Sequence, residues 1–239
     1  MPSVKTLLTL GRISNLPTVW MNVLSAAVLS VALTPTALDP CAVLWVLLAM
    51  SCFYAAGMTL NDVFDQHWDA QRQPYRPIPS GRISARGATI WGVGLLVVGF
   101  AFLALAPRAE GVLVGLALAG VIVLYDWLHK RHWSTVLLMA LTRLGVYLVT
   151  AVALVGEVPA WVWLIGVLQM VHTLSVTVVA RWENSRSTDL HFPLIPWMIA
   201  AMALVDGVFL ALVVHPLWLF VGLGLMAATR LGQRYVKGD

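Results

Sequence analysis

The chain has 239 residues, of which 60% are hydrophobic and 11% charged, and a mean hydropathy of +0.85. An ordinary soluble domain carries about 25% charged residues, so the composition excludes a water-soluble globule and leaves no room for a separate soluble domain. The formal net charge is +4, but the basic residues sit in short loops between apolar runs and form no continuous face, which excludes a nucleic-acid partner.

A spanning helix needs roughly 20 mostly apolar residues. In chain order, the apolar runs predict spans over 15–34, 40–63, 86–107, 110–128, 134–156, 159–181, 193–214 and 216–235. Breakers mark the joints: Pro35 and Pro40, Pro107, Gly156 and Pro159, Pro193, and Pro216. No basic region with a small-residue cleavage site opens the chain, so no cleaved signal peptide is expected and the first helix should act as the insertion signal. Cys41 and Cys52 fall on one predicted helix about three turns apart, too far for a disulfide, and are expected to be packing residues.

Charge placement orients these helices. Lys5 and Arg12 precede the first span; Arg72, Arg76, Arg82 and Arg86 follow the second; Lys130 and Arg131 follow the fourth. Arg181 and Arg186 follow the sixth, and Arg230, Arg234 and Lys237 close the chain. The opposite loops offer only Arg108, beside Asp39, Glu110 and Glu157. By the positive-inside rule both termini are cytoplasmic. The expected fold is all-α: a polytopic transmembrane helical bundle forming one integral membrane domain over 1–239, in the bacterial inner membrane. The second and sixth helices each end in a polar, acid-containing cytoplasmic segment, which hints at two related four-helix halves.

The segment after the second helix reads NDVFDQHWDAQRQPYRPIPSGRIS, Asn61 to Ser84. Asn61, Asp65 and Asp69 are spaced i, i+4, i+8 and share one face of a continuing helix, with Asp62 about 100° away. Three carboxylates this close repel one another and are costly near lipid, and a divalent cation removes both difficulties. Magnesium prefers one or two carboxylates together with substrate phosphate oxygens and water. Arg72, Arg76 and Arg82 supply forked donors suited to phosphate. Pro74, Pro77 and Pro79 stiffen the loop, and Gly81 permits a sharp turn. These features predict a site for a magnesium-bound diphosphate at the membrane surface. The alternative is a solvated loop whose acids and arginines pair with each other.

The pattern N-D-x-x-D-x-x-x-D, followed by Arg76-Pro77-Ile78-Pro79-Ser80-Gly81, resembles the first signature of the UbiA superfamily of intramembrane prenyltransferases. The resemblance implies a helical bundle of eight or nine spans around a central cavity, with a prenyl diphosphate held through Mg²⁺ and its tail lying between helices. It implies metal binding by Asn61, Asp62, Asp65 and Asp69, with Asp65, Asp69 and Lys130 in catalysis. Arg12, Asn15, Arg72, Arg76, Tyr125 and Arg131 would contact substrate. The family's second signature is altered here: Glu183 and Asp189 stand where outer acids belong, and Arg186 stands near the expected middle acid. Arginine cannot ligate Mg²⁺ but can pair with diphosphate. Either Arg181 and Arg186 replace a second metal, or Glu183 and Arg186 form a surface pair at i, i+3.

The function implied is Mg²⁺-dependent transfer of a prenyl group from a polyprenyl diphosphate to a small aromatic or lipophilic acceptor. Two alternatives stay open, a membrane terpene cyclase and a non-catalytic prenyl-lipid-binding relative. Arg12 could pair with an acceptor carboxylate or serve only as a topology charge. Asn22 lies two turns beyond Asn15. Arg143, inside the fifth predicted span, needs a partner or water and is a site candidate on that ground. Asp206 and His172 lie deeper, where helix–helix hydrogen bonds explain them most simply. The eleven tryptophans suit membrane interfaces.

Overall fold

The computed structural model describes residues 2–32, 37–130, 132–184 and 193–236. Among these residues every regular element is helical. The helices are α1 (Val4–Leu10), α2 (Leu16–Val31), α3 (Pro40–Phe64), α4 (Gln66–Arg72), α5 (Ala85–Leu103), α6 (Glu110–Leu128), α7 (Val136–Val155), α8 (Ala160–Asn184), α9 (Leu194–Val213) and α10 (Trp218–Tyr235). Single 3-10 turns at Ile13–Asn15 and Trp133–Thr135 lead into α2 and α7. Each predicted span overlaps one of these helices, the shortest so matched being α2 with 16 residues.

Local chemistry sets the helix ends. Asp39 caps α3 by accepting from the Cys41 amide at 2.9 Å, with Pro40 in the first turn where its missing N–H costs nothing. Ser84 caps α5 through the Gly87 amide at 3.1 Å. Gly156 ends α7 at φ 85°, the left-handed conformation that closes helices cheaply only with glycine. Cys52 packs beside Gly99 of α5, whereas Cys41 is exposed in the first turn of α3, so only one of the two thiols is a packing residue.

Among the described residues, six helical stretches are long and apolar enough to cross a membrane: Pro40–Phe64, Ala85–Leu103, Glu110–Leu128, Trp133–Val155, Ala160–Glu183 and Leu194–Val213. Their outer faces carry exposed Val97, Leu113, Leu116, Val171 and Leu212. Continuous apolar surface of this kind suits lipid and not water.

Helix α2 lies at the centre, against α3, α7, α8, α9 and α10. Its Val19 and Val23 join Val46, Met50, Phe53, Leu103, Leu118 and Val149 in one buried cluster. Its Met21, Ala26 and Leu29 join Tyr147, Val162, Ile165 and Leu210 in another. α2 and α7 therefore contribute to both cores, and the polar residues on them are held from every side.

α9 and α10 meet backbone to backbone. A Cβ on Gly207 would lie 2.8 Å from the Gly222 Cα, while one on Gly224 would meet nothing within 4 Å. Gly207→Ala should therefore destabilise the protein by about 1–3 kcal/mol through overpacking, and Gly224→Ala should leave it unchanged or slightly firmer. Thermal unfolding in detergent micelles checks the pair, and equal midpoints would remove the close approach as the reason for glycine at 207.

Candidate functional site

α3 ends at Phe64 and α4 begins at Gln66, with Asp65 between them at φ −86°, ψ −2°. Backbone bonding continues across the joint, from the Asp65 amide to Asn61 O and from the Asp69 amide to Asp65 O, both at 2.9 Å. The acids thus stay one turn apart, but their side chains part company. This departs from the one-face arrangement read from their spacing.

Asn61 donates to Asp126 Oδ1 at 3.1 Å. Asp65 contacts His129 Nε2 and Lys130 Nζ, each at 3.2 Å. Both residues thus face the end of α6. Asp62 and Asp69 instead share one guanidinium: Arg76 Nη1 donates to Asp62 Oδ1 at 3.1 Å and to Asp69 Oδ2 at 2.9 Å. The Asp62 carboxylate, expected to lie off the face, is the one that joins Asp69, because the cation between them comes from the loop. Asp62, Asp65 and Asp69 are all buried.

The loop is shaped to return Arg76. Its amide bonds to Gln73 O and the Ser80 amide bonds to Arg76 O, both at 3.0 Å, while Gly81 takes φ 73°. Arg76 Nε is fixed by Gln73 Oε1 at 2.6 Å. From the opposite side Arg12 Nη2 reaches Asp62 Oδ1 at 3.5 Å. Arg12 has φ 43°, the one non-glycine positive φ among the described residues. Such backbone costs of order 1–3 kcal/mol and clusters at functional sites. Asn15 accepts from Gln233 Nε2 of α10 at 2.9 Å.

Electrostatics separates the acids further. Burial raises the Asp65 carboxyl, but the His129 hydrogen bond and charge and then Lys130 outweigh it, so it ionises below its ordinary range. Burial dominates at Asp69 and holds its carboxyl above that range despite Arg76.

The remaining expected residues are spread more widely. Arg72 stacks over the Trp68 ring at 4.0 Å, where Lys130 also approaches at 5.0 Å. Among the described residues Arg72 forms no ion pair with the acids. Tyr125 stacks on His129 at 5.1 Å. Arg181 donates to Trp133 O at 2.7 Å and to Thr135 Oγ1 at 3.3 Å, so it secures the turn before α7. Glu183 keeps a buried Oε2 with no hydrogen-bond partner among the described residues. Arg131, Arg186 and Asp189 lie outside the described residues.

Three contributors were not picked out from the sequence as site residues: Gln73, Asp126 and His129. Asp126 and His129 stand at i, i+3 at the end of an apolar helix, and that polar pair was the available signal. Asp126 is buried, with Oδ2 unpartnered. Among the described residues no three His, Cys, Asp or Glu groups converge as a metal cage. The donors still suit Mg²⁺, which takes one or two protein carboxylates and completes its shell with phosphate oxygens and water. Arg76 Nη1 occupies the position between Asp62 and Asp69 that a cation favours.

Two cavities open from these residues. A narrow one of about 70 Å³ is lined by Val19, Met50, Phe53, Gly57, Leu118, Ile122 and Val146 together with Tyr54, Met58, Tyr125, Met139 and Arg143. A wider one of about 340 Å³ shares those last five residues. It runs from Arg12, Asn15, Gln73 and Arg76 to Thr173, Thr177, Ile195 and Met202. Behind Arg143 lies a buried polar network. Arg143 Nη1 donates to Asn22 Oδ1 at 2.9 Å. Asp206 accepts from Asn22 Nδ2 at 2.8 Å, from Tyr147 Oη at 2.7 Å and from Gln169 Nε2 at 3.1 Å. His172 bonds Met198 O at 2.9 Å and joins α8 to α9. Asp206 and His172 are thus both satisfied helix–helix links, as expected.

The family model described as UbiA prenyltransferase family matches residues 22–236. A digeranylgeranylglyceryl phosphate synthase from Metallosphaera sedula is 28% identical over 201 residues, 79% of this chain and 69% of that protein. A protoheme IX farnesyltransferase from Synechococcus elongatus is 35% identical over 52% of this chain and 41% of that protein. A digeranylgeranylglyceryl phosphate synthase from Methanothrix thermoacetophila is 56% identical over 18% of this chain and 16% of that protein. For the last two, the matched part is less than half of the relative's length. The fold is that of a UbiA homolog from Archaeoglobus fulgidus bound to GPP and Mg²⁺, at a TM-score of 0.63 and 16% identity over 96% of this chain and 97% of that one.

Proposed function

The chain belongs to the UbiA prenyltransferase family, and from that premise we propose that it transfers a prenyl group from a prenyl diphosphate to a small lipophilic acceptor within the membrane. The observation that carries this reading is Arg76 lying across Asp62 and Asp69, where it lines the wider cavity. Similarity to a homolog bound to GPP and Mg²⁺ supports it. The protein is an integral, multi-pass membrane protein. Eight spans, read from the apolar runs, cytoplasmic termini, read from the charge bias, and a bacterial inner-membrane location belong to the proposal.

Asp62 and Asp69 would hold Mg²⁺, with Asp65 and Asn61 shaping the wall beside them. Bound there, Mg²⁺ would neutralise charge on the diphosphate oxygens. Arg76, released from the acids, would turn its fork to the diphosphate. Arg12 and Lys130 would add positive charge from opposite sides. The allylic C1–O bond breaks with both electrons leaving on the diphosphate. The acceptor's nucleophilic carbon or oxygen bonds to C1 and loses a proton. Tyr54, Tyr125 and the apolar walls would shelter the allylic cation from water.

Proteoliposomes given labelled geranyl diphosphate test this. Mg²⁺-dependent diphosphate release should fall at least 100-fold in Asp69→Ala and vanish on chelation. Undiminished release in that variant would overturn the assignment. Cyclic hydrocarbon formed from the diphosphate alone would turn the reading towards a cyclase, and saturable binding without release would turn it towards a lipid binder.

A further inference from the structure

Arg12 is held in a backbone conformation that suits glycine. Gly11 ends α1, and Arg12 follows with its amide on Thr9 O at 3.1 Å, its own carbonyl accepting from the Asn15 amide at 3.0 Å. Its φ of 43° is left-handed. A helix of seven residues is marginal by itself, so this turn needs support from outside its own segment.

The support comes from the last turn of α10, at the other end of the sequence. Gln233 Nε2 donates to Asn15 Oδ1 at 2.9 Å, and Gln233 Oε1 accepts from Arg230 Nη1 at 2.6 Å. Arg230 lies over the Trp197 ring of α9 at 4.5 Å, which anchors the chain of contacts in the bundle. Gly232 sits flush on the turn, since a Cβ there would stand 3.2 Å from both Cα and Cβ of Ser14. Ser14 and Asn15 are buried.

The polarity of this chain is fixed. A guanidinium only donates, so Gln233 must show its oxygen to Arg230 and its nitrogen to Asn15. Asn15 must then answer with its oxygen. Its amide nitrogen is the end that remains for the wider cavity, which Asn15 and Arg12 both line. A bond that merely joined two helices would work with either orientation of the amides, but here Arg230 imposes one.

We propose that Gln233 is a positioning residue for prenyl transfer: held by Arg230, it fixes the turn that aims Arg12 at Asp62 and sets which end of the Asn15 amide meets the donor diphosphate. This rests on the prenyl-transfer reading. Neither Gln233 nor Arg230 lines the two cavities, and both act through Asn15 and the Arg12 backbone.

The test is calorimetric titration of the protein in maltoside micelles with Mg²⁺ and the non-ionising geranyl S-thiolodiphosphate. Gln233→Leu removes both bonds. Gln233→Glu keeps the Arg230 contact and obliges Asn15 to turn its nitrogen to α10 and its oxygen to the cavity, so the helices stay joined. Each should weaken the analogue about tenfold, the loss of one hydrogen bond to a charged group. The unfolding midpoint should fall in Gln233→Leu and hold in Gln233→Glu, which parts affinity from stability. Arg234→Gln, exposed in the same turn, changes net charge as Gln233→Glu does and should leave affinity within about twofold. Affinity unmoved in Gln233→Glu is the result of a purely structural role and overturns the proposal. Equal weakening by Arg234→Gln and Gln233→Glu would reduce the effect to charge and overturn it too. If Gln233→Leu does not fold, Gln233→Glu and Arg234→Gln carry the comparison. Failure of the wild type to bind the analogue would overturn the prenyl-transfer reading, whereas wild-type binding with unmoved variants overturns this proposal alone.

Discussion

Replacing Arg76 by alanine is expected to lower Mg²⁺-dependent diphosphate release by two to three orders of magnitude. A preorganised donor aimed at developing charge is worth about 10²–10³ in rate. Gln73 fixes Arg76 Nε at 2.6 Å, so only the outer nitrogens, held by Asp62 and Asp69, must turn before it acts. The same change also leaves Asp62 and Asp69 buried without their shared partner. Removing one member of a buried pair costs about 3–5 kcal/mol, and Arg12 at 3.5 Å from Asp62 offsets a part. Stability and chemistry can be separated. Adding Asp62→Asn to Arg76→Ala should recover thermal stability, because one stranded charge is gone, while turnover stays low. Arg76→Lys should retain some stability and less activity, since one ammonium cannot serve Gln73 and both acids in the same geometry. Turnover of Arg76→Ala within fivefold of wild type would show that the residue only neutralises the acids.

The second large effect lies deep in the bundle. Asp206→Ala is expected to destabilise the protein by about 3 kcal/mol, read as a lowered unfolding midpoint in detergent. A single interhelical hydrogen bond between membrane helices averages about 0.6 kcal/mol, and Asp206 accepts from three residues on three helices. Three such bonds account for about half of the loss. The stranded donors of Asn22, Tyr147 and Gln169 account for the rest. Asp206→Asn should fall between, because its amide nitrogen would confront a donor where a carboxylate oxygen accepted. Asp206→Ala leaves Asn22 held by Tyr147 at 2.8 Å and by Arg143 at 2.9 Å. An unfolding midpoint unmoved by Asp206→Ala would show that the network contributes no net stability.

Much of this protein is legible in its sequence. Apolar run length, Pro35 to Pro216 as joints and the placement of basic residues determined a multi-helix membrane protein. The Asp-rich segment with Arg76-Pro77-Ile78-Pro79-Ser80-Gly81 identified its family. These signals are local: span length follows from bilayer thickness, and a turn follows from proline and glycine within a few residues. Partnership is different. Spacing put Asp69 with Asp65, but the loop brings Arg76 back to join Asp69 with Asp62, and α6 claims Asp65 through His129 and Lys130. Arg181, read as a phosphate donor, is engaged by the Trp133 carbonyl. Asn22 and Asp206 are 184 residues apart and meet at 2.8 Å. No periodicity encodes such a pair, because it depends on which faces of α2, α7, α8 and α9 pack together. The sequence by itself determined where charge and apolar surface lie along the chain. Only the tertiary structure decided which charges neutralise one another, and that Arg143 bonds Asn22 at the wall of both cavities.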